Sequence, residues 1–206
     1  MDKYDVKKAH RELYSASADD FAVVEVPEFQ YLAVDGRGDP NTAESFAQAL
    51  EALYGMSYTL KFTSKNELGR DYVVAPLEGL WRAEDPRAFA ELRKESWEWT
   101  LLVHQPEWIT EEMVAAAAAS VAEKRSNPSL GLVRLLTLTE GTCVQTLHIG
   151  SYESESSTLE RMHRHFMPEH GLDFNGDHHE IYLSDPRRTP EEKLRTILRQ
   201  PVRRVG

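Results

Sequence analysis

Glu180 and Tyr182 stand two residues apart in the run Gly176-Asp177-His178-His179-Glu180-Ile181-Tyr182-Leu183-Ser184-Asp185-Pro186, and that spacing could do chemistry. Alternate side chains of an extended strand share a face, so the carboxylate and the phenol lie together while Ile181 and Leu183 turn to the core. If the first face lines a pocket, the glutamate is desolvated, its pKa rises, and it serves as a proton acceptor or as the partner of a cation. If that face meets water, the run is an amphipathic strand end.

Rings are plentiful. Tyr72, Trp81, Trp97, Trp99, Tyr152 and Tyr182 are candidates to sandwich a flat apolar ligand, each ring contributing about 1–3 kcal/mol when well buried; the alternative is that they fill the core. Trp97 and Trp99 share one strand face, so they are wall or core together. Glu78, in Leu77-Glu78-Gly79-Leu80-Trp81, is a reserve second carboxylate or a turn residue. Other constellations carry less. His163, His165, His170, His178 and His179 invite a metal, but there is no HExxH, Cys143 is the single cysteine, and adjacent strand histidines point to opposite faces, so neither metal nor cofactor is assigned. Gly36-Arg37-Gly38 lacks the spacing of a phosphate cradle, Arg37-Gly38-Asp39 reads as a turn, and Ser151 has no GxSxG elbow around it.

The elements that must position these residues follow from periodicity. Phe29 to Val34 is a short apolar strand closed by a Gly-rich turn. Thr42 to about Tyr58 places Phe46, Ala49, Leu50, Leu53 and Tyr54 at helical spacing. Tyr72 to Leu77 reads as extended, and Trp97 to Val103 alternates as a strand. Later, Leu132 to Thr139 and Thr142 to Tyr152 alternate, Ser156 to His170 is helical with Gly171 where a C-terminal glycine belongs, and the Glu180 strand follows. Pro190 to Leu198 then reads as a last helix whose arginines form its wet face. Between the halves, Ile109 to Lys124 is an alanine-rich helix capped by Thr110, expected to pack closely on a sheet.

The 206 residues are enough for a real core, and 41% hydrophobic with 28% charged residues describes a soluble globular chain. No apolar run is long enough to cross a bilayer and the start lacks a secretory signal, so a cytoplasmic protein without a membrane partner is expected. A net charge of -10 disfavours nucleic acid as a direct partner.

Tyr72 to Trp81 (YVVAPLEGLW), Gly150-Ser151-Tyr152, Thr158 to Met162 and His178 to Pro186 followed by Arg187-Arg188 together resemble the GyrI-like small-molecule-binding domain family, in its stand-alone branch. The resemblance spans about Val26 to Val202. It implies an α+β fold of two pseudo-symmetric strand-helix-strand-strand modules, an SHS2-like duplication, over about 26–105 and 130–206, with a ligand cleft between them and residues 1–25 as an N-terminal extension. Members act as sensors in multidrug regulators, as gyrase-inhibitor-like proteins, or as hydrolases that open the cyclopropane of cyclopropanoid DNA-alkylating antibiotics. Glu180 then matches the family's central pocket glutamate, acting as cation partner or general base; Tyr152 or Tyr182 would donate to the substrate carbonyl oxygen; and Tyr72, Glu78, Trp81, Trp97 and Trp99 would line the ligand. The expected partner is a small molecule, taken up by a hydrolase or by a non-catalytic multidrug-binding or sequestering protein, with a gyrase-inhibitor-like protein as the further alternative.

Overall fold

The computed structural model describes residues 3–82 and 96–205. Its centre is an antiparallel sheet of β1 (Ala22–Val26), β2 (Phe29–Arg37), β3 (Leu77–Arg82), β4 (Glu98–Gln105), β5 (Arg134–Leu138), β6 (Gly141–Ile149), β7 (Leu172–Phe174), β8 (His178–Tyr182) and β9 (Arg195–Arg204). The strands run in the order β1-β6-β9-β8-β3-β4-β2-β5, with β7 added beside β9. The protein is thus α+β, and the first and second parts of the chain meet where β3 pairs with β8, Gly79 opposite Glu180 and Trp81 opposite His178.

Register sorts the side chains into two faces. Gly79, Trp81, Trp99, His178, Glu180, Tyr182, Thr196 and His148 fall on one; Glu78, Leu80, His179, Ile181, Ile197 and Arg199 fall on the other. Helix α3 (Glu44–Glu67) covers one end of the first face, its Phe46 ring stacked 6.4 Å from Trp81 and edge-on to Trp99 at 5.1 Å. The second face is closed by the short helices α1 (Val6–Ala9) and α2 (Arg11–Tyr14): the Tyr14 hydroxyl donates to Glu78 and the Leu13 carbonyl accepts from Arg199. Helix α4 (Glu111–Ala122) begins as expected, with Thr110 Oγ1 accepting from Met113 N at 3.3 Å. It packs chiefly alongside α3, not on the sheet; its small alanines allow the two helices to come close, and Val121 lies 3.6 Å from where a Cβ on Gly55 would be. Helix α5 (Glu155–Arg161) covers the other end of the first face and continues through a wide turn over Met162–Phe166, ahead of Pro168, which has no N–H to give the helix ladder. Met162 and Met167 pack with Val144, Leu198 and Val202 in a second core.

Three expectations are corrected. Pro190 to Leu198 is not a helix: one 3₁₀ turn at Glu191–Lys193 leads into β9. Thr196 through Val202 is buried without a break, the signature of a strand covered on both faces, and Leu194, Ile197 and Leu198 fit helical spacing only by coincidence. Arg199 accordingly lies in the interior, not on a wet face. The extended run from Tyr72 makes only an isolated bridge to Tyr4 before β3 starts at Leu77. Helix α3 reaches Glu67, nine residues past Tyr58, because Leu60 and Ser64 continue its buried stripe among polar neighbours. No helix among the described residues is long and apolar enough to cross a membrane.

One close approach fixes the first face. A Cβ on Gly36 would lie 2.0 Å from the Trp99 ring, so Gly36→Ala is expected to destabilise the fold by about 1–3 kcal/mol through displacement of that ring, visible as a lower urea midpoint.

Candidate functional site

The seam between β3 and β8 gathers the chemistry on the face shared by α3 and α5. Trp81 Nε1 donates to the Tyr182 hydroxyl at 3.0 Å, and that hydroxyl donates to Glu180 Oε2 at 2.6 Å. The chain of donors runs one way, toward the carboxylate, and charge-assisted bonds of this length are the strong ones. Burial first, then the neighbouring Glu180, push the Tyr182 phenol well above its ordinary pKa, so its proton stays in place. The Glu180 side chain is 14% exposed, and His178 Nε2 lies 3.5 Å from its other oxygen. Opposite Glu180, Gly79 makes room: a Cβ there would sit 2.9 Å from Trp81 Nε1 and 3.3 Å from the Tyr182 oxygen. Gly79→Ala should therefore break the Trp81–Tyr182 bond, expected as a shifted Trp81 emission in a protein whose circular dichroism is unchanged.

The rings form one wall. Trp97 meets Trp81 edge-on at 5.7 Å, and Tyr152 meets Tyr182 edge-on at 5.7 Å. Tyr152 is not at a strand end; β6 stops at Ile149, and Tyr152 opens a 3₁₀ turn, 41% exposed. Burial, followed by the charges of Glu155 and Glu180, raises its phenol to about 12, so it too remains a donor. His148 pins this turn to β6, with Nε2 2.9 Å from Ser154 Oγ and 3.2 Å from the Ser151 carbonyl, and Nδ1 3.3 Å from Thr158 Oγ1. Burial holds His148 below its usual pKa, so it acts as a neutral brace.

Sequence reasoning missed Glu155. An acid in the first turn of a helix reads as a solvated partner of the helix dipole, yet this one is 5% exposed and its Oε1 has no hydrogen-bond partner. Burial, then Glu180, raise it to about 10, against the hydrogen bond from Thr196. A desolvated carboxyl beside a second carboxylate side chain is an arrangement that acid–base sites use. No spacing signal reveals it, since Glu155 reaches Glu180 only through the packing of α5 on β8 and β9.

Three expected lining residues are not brought to the seam. Tyr72 is buried at the far end of β4, donating to Gln105 Oε1 at 3.0 Å and edge-on to Trp108. Trp99 is on the right face but lies beneath Phe46, 1% exposed. Glu78 is not in a turn and does not face the seam. It sits in β3 on the opposite face, in a buried network with His179, Glu140 and Arg199. His179 Nδ1 is 3.0 Å from Glu140 and its Nε2 3.0 Å from Glu78; the second contact is an ion pair whose angles fall outside a hydrogen bond's. Arg199 lies 3.5 Å from Glu140 and donates to Gln145 and to the Leu13 carbonyl. Burial alone would lower His179, but Glu140 and Glu78 raise it to about 9; burial alone would raise Glu140, but His179 and Arg199 hold it low. The signs give a window. The His179 contribution is complete below its ordinary 6.5 and is lost as pH climbs through about 9, while the Glu140 contribution is complete above its ordinary 4.5 and is lost on acidification. Glu155, raised from its ordinary 4.5 to about 10, adds a contribution that is complete below 4.5 and is lost progressively as pH climbs toward about 10. Thermal melting from pH 4 to 10 is expected to peak near about 4.5 and to fall as pH rises, more steeply above about 6.5 where His179 joins.

Two surface hollows, about 390 Å³ beside β1 and β7 and about 280 Å³ near Glu140 and Gly176, lie away from the seam, where the rings meet across the available space. Among the described residues no group of three or more His, Cys, Asp or Glu side chains is placed to hold a metal ion.

One face of this α+β sheet thus carries a carboxylate and aromatic rings between two flanking helices. The chain belongs to the family of the GyrI-like small molecule binding domain, whose model matches residues 19–203. Among solved structures it is similar to an uncharacterized conserved protein from Listeria innocua (37% identity, TM-score 0.90) and to two structures described as hydrolases from the same organism (35% identity each, TM-scores 0.84 and 0.88). Each comparison covers 98% of this chain and 100% of the other. A search of curated proteins finds no match.

Proposed function

We propose that the seam binds a flat hydrophobic or cationic molecule and hydrolyses the cyclopropane of cyclopropanoid DNA-alkylating compounds, a self-protective reaction. The observation that carries this reading is Glu180, largely withdrawn from water and held by the Tyr182 hydroxyl in a wall of rings. Two relatives described as hydrolases support an enzyme. Among the described residues Phe29–Gln105 runs strand, helix, strand, strand and Gly141–Arg204 runs strand, helix and three strands; with the three-residue β7 counted as an addition, the shared order supports two pseudo-symmetric modules that share the cleft.

In this mechanism Tyr152, exposed and without a hydrogen-bonding side chain among the described residues, swings from its edge contact with Tyr182 to admit the ligand. Glu180 takes a proton from water as the water oxygen bonds to the unsubstituted cyclopropane carbon. The strained C–C bond breaks, its electron pair flows into the cyclohexadienone, and the carbonyl oxygen becomes a phenolate that Tyr152 stabilises by hydrogen-bond donation; the proton on Glu180 then passes through solvent to that oxygen, giving the phenol and restoring the carboxylate. Tyr182 is the less suitable donor because Glu180 already holds its proton; it orients the base instead. Alignment and stabilisation of the growing oxyanion are the main contributions such a site makes.

The second reading, sequestration without turnover, is favoured by the same carboxylate and rings, which attract a cation without needing water. With a cyclopropanoid alkylator in tenfold excess, the dienone absorbance separates the two. Loss continuing past one equivalent supports hydrolysis, persistent absorbance with DNA shielded from alkylation in proportion to the protein added supports sequestration, and persistent absorbance without such shielding removes both.

A further inference from the structure

Glu155 is a buried carboxyl that the proposed reaction leaves unused. One oxygen meets the Thr196 hydroxyl, the other meets no donor, and only 5% of the residue reaches solvent. Glu180 and Tyr182 of β8 and Thr196 of β9 face it, Tyr152 flanks it in its own turn, and His148 of β6 and His178 of β8 border the same seam. No lysine or arginine among the described residues partners either oxygen. We propose that Glu155 carries a proton in the unliganded cleft and releases it to solvent when a lipophilic cation enters, so that cation binding is coupled to proton release.

The physical reason is the shared space. Two carboxyls in one desolvated site are not both ionised without a counter-charge, and burial with Glu180 already places Glu155 at about 10. A cation seated against the rings of Trp81 and Tyr152 supplies the missing charge, the Glu155 O–H bond breaks, and the proton passes to the buffer. A neutral ligand supplies no such charge and leaves the proton where it is. The coupling thus lets one cleft take both classes, with affinity for cations alone rising with pH. This inference rests on the proposed reading of the seam as a site for flat cations.

The test is calorimetry of the full chain with rhodamine 6G, a flat permanent cation, at pH 7.5 in two buffers of different ionisation enthalpy, joined to dye affinities from pH 7 to 8.5. About one proton is expected to leave per dye bound, with Kd falling about tenfold per pH unit. His148 and His163 are held below their ordinary values by burial and do not titrate in this range. His179 does, but on the opposite face, and Glu155→Gln retains it. That variant copies the shape of the protonated acid, so it should fold, bind the dye and show neither proton release nor pH slope. Dye binding without proton release in the wild type, or a slope that survives Glu155→Gln, overturns the inference and leaves the binding site standing. Failure of the wild type to bind the dye at any pH overturns the cation reading of the seam itself.

Discussion

Arg199→Met is expected to destabilise the protein by about 3–5 kcal/mol. The guanidinium is fully buried, in contact with Glu140 and donating to Gln145 and Leu13. Methionine fills much of the volume, so what is lost is charge and donors. Glu140 keeps only His179, and the Gln145 and Leu13 oxygens lose their donor in the interior, where unmet hydrogen bonds are most costly. Arg203→Met is the control: it removes a solvent-exposed pair with Asp173, and exposed pairs contribute about 0–1 kcal/mol. Urea titrations of both variants read the contrast directly; equal midpoints would mean the network is not held as described.

Glu180→Gln is expected to lower turnover of a cyclopropanoid substrate by about 10²–10⁴-fold, the usual worth of a positioned general base, while stability changes by less than about 1 kcal/mol. The amide oxygen can still accept from Tyr182, so the wall of rings keeps its shape and a neutral flat ligand still binds. What disappears is the group that takes the proton from water in the proposed reaction. Steady-state rates with dissociation constants for a non-reactive analogue separate the two effects: a matching loss of binding would assign Glu180 to affinity, and an unchanged rate would remove it from the chemistry.

The pairing of Glu180 with Tyr182 was legible from alternation, because the period of a strand is independent of what packs on it. So was the cap of α4 at Thr110. The β9 strand was not, since Leu194, Ile197 and Leu198 satisfy a helical stripe as well as a buried strand, and the arginines that suggested water include Arg199, which finds its carboxylate partner 59 residues earlier in the chain. Glu155 was invisible for a related reason: its desolvation is produced by β8 and β9, not by its own neighbours. Trp99 and Trp81 are paired across β4 and β3 and Phe46 of α3 meets both rings, yet of the two it is Trp81 that reaches the seam through its bond to Tyr182, a distinction that strand alternation does not encode.

The uninterrupted pairing of β3 with β8 has a mechanical corollary. Since the backbone ladder runs straight beneath the site, the floor does not hinge, and the cleft can adapt only through its roof: rotation of rings and small displacements of the two helices. On the proposed reading of the seam as a ligand site, guests of different outline would be accommodated by rotamer choice over a stiff base and not by large closing motions.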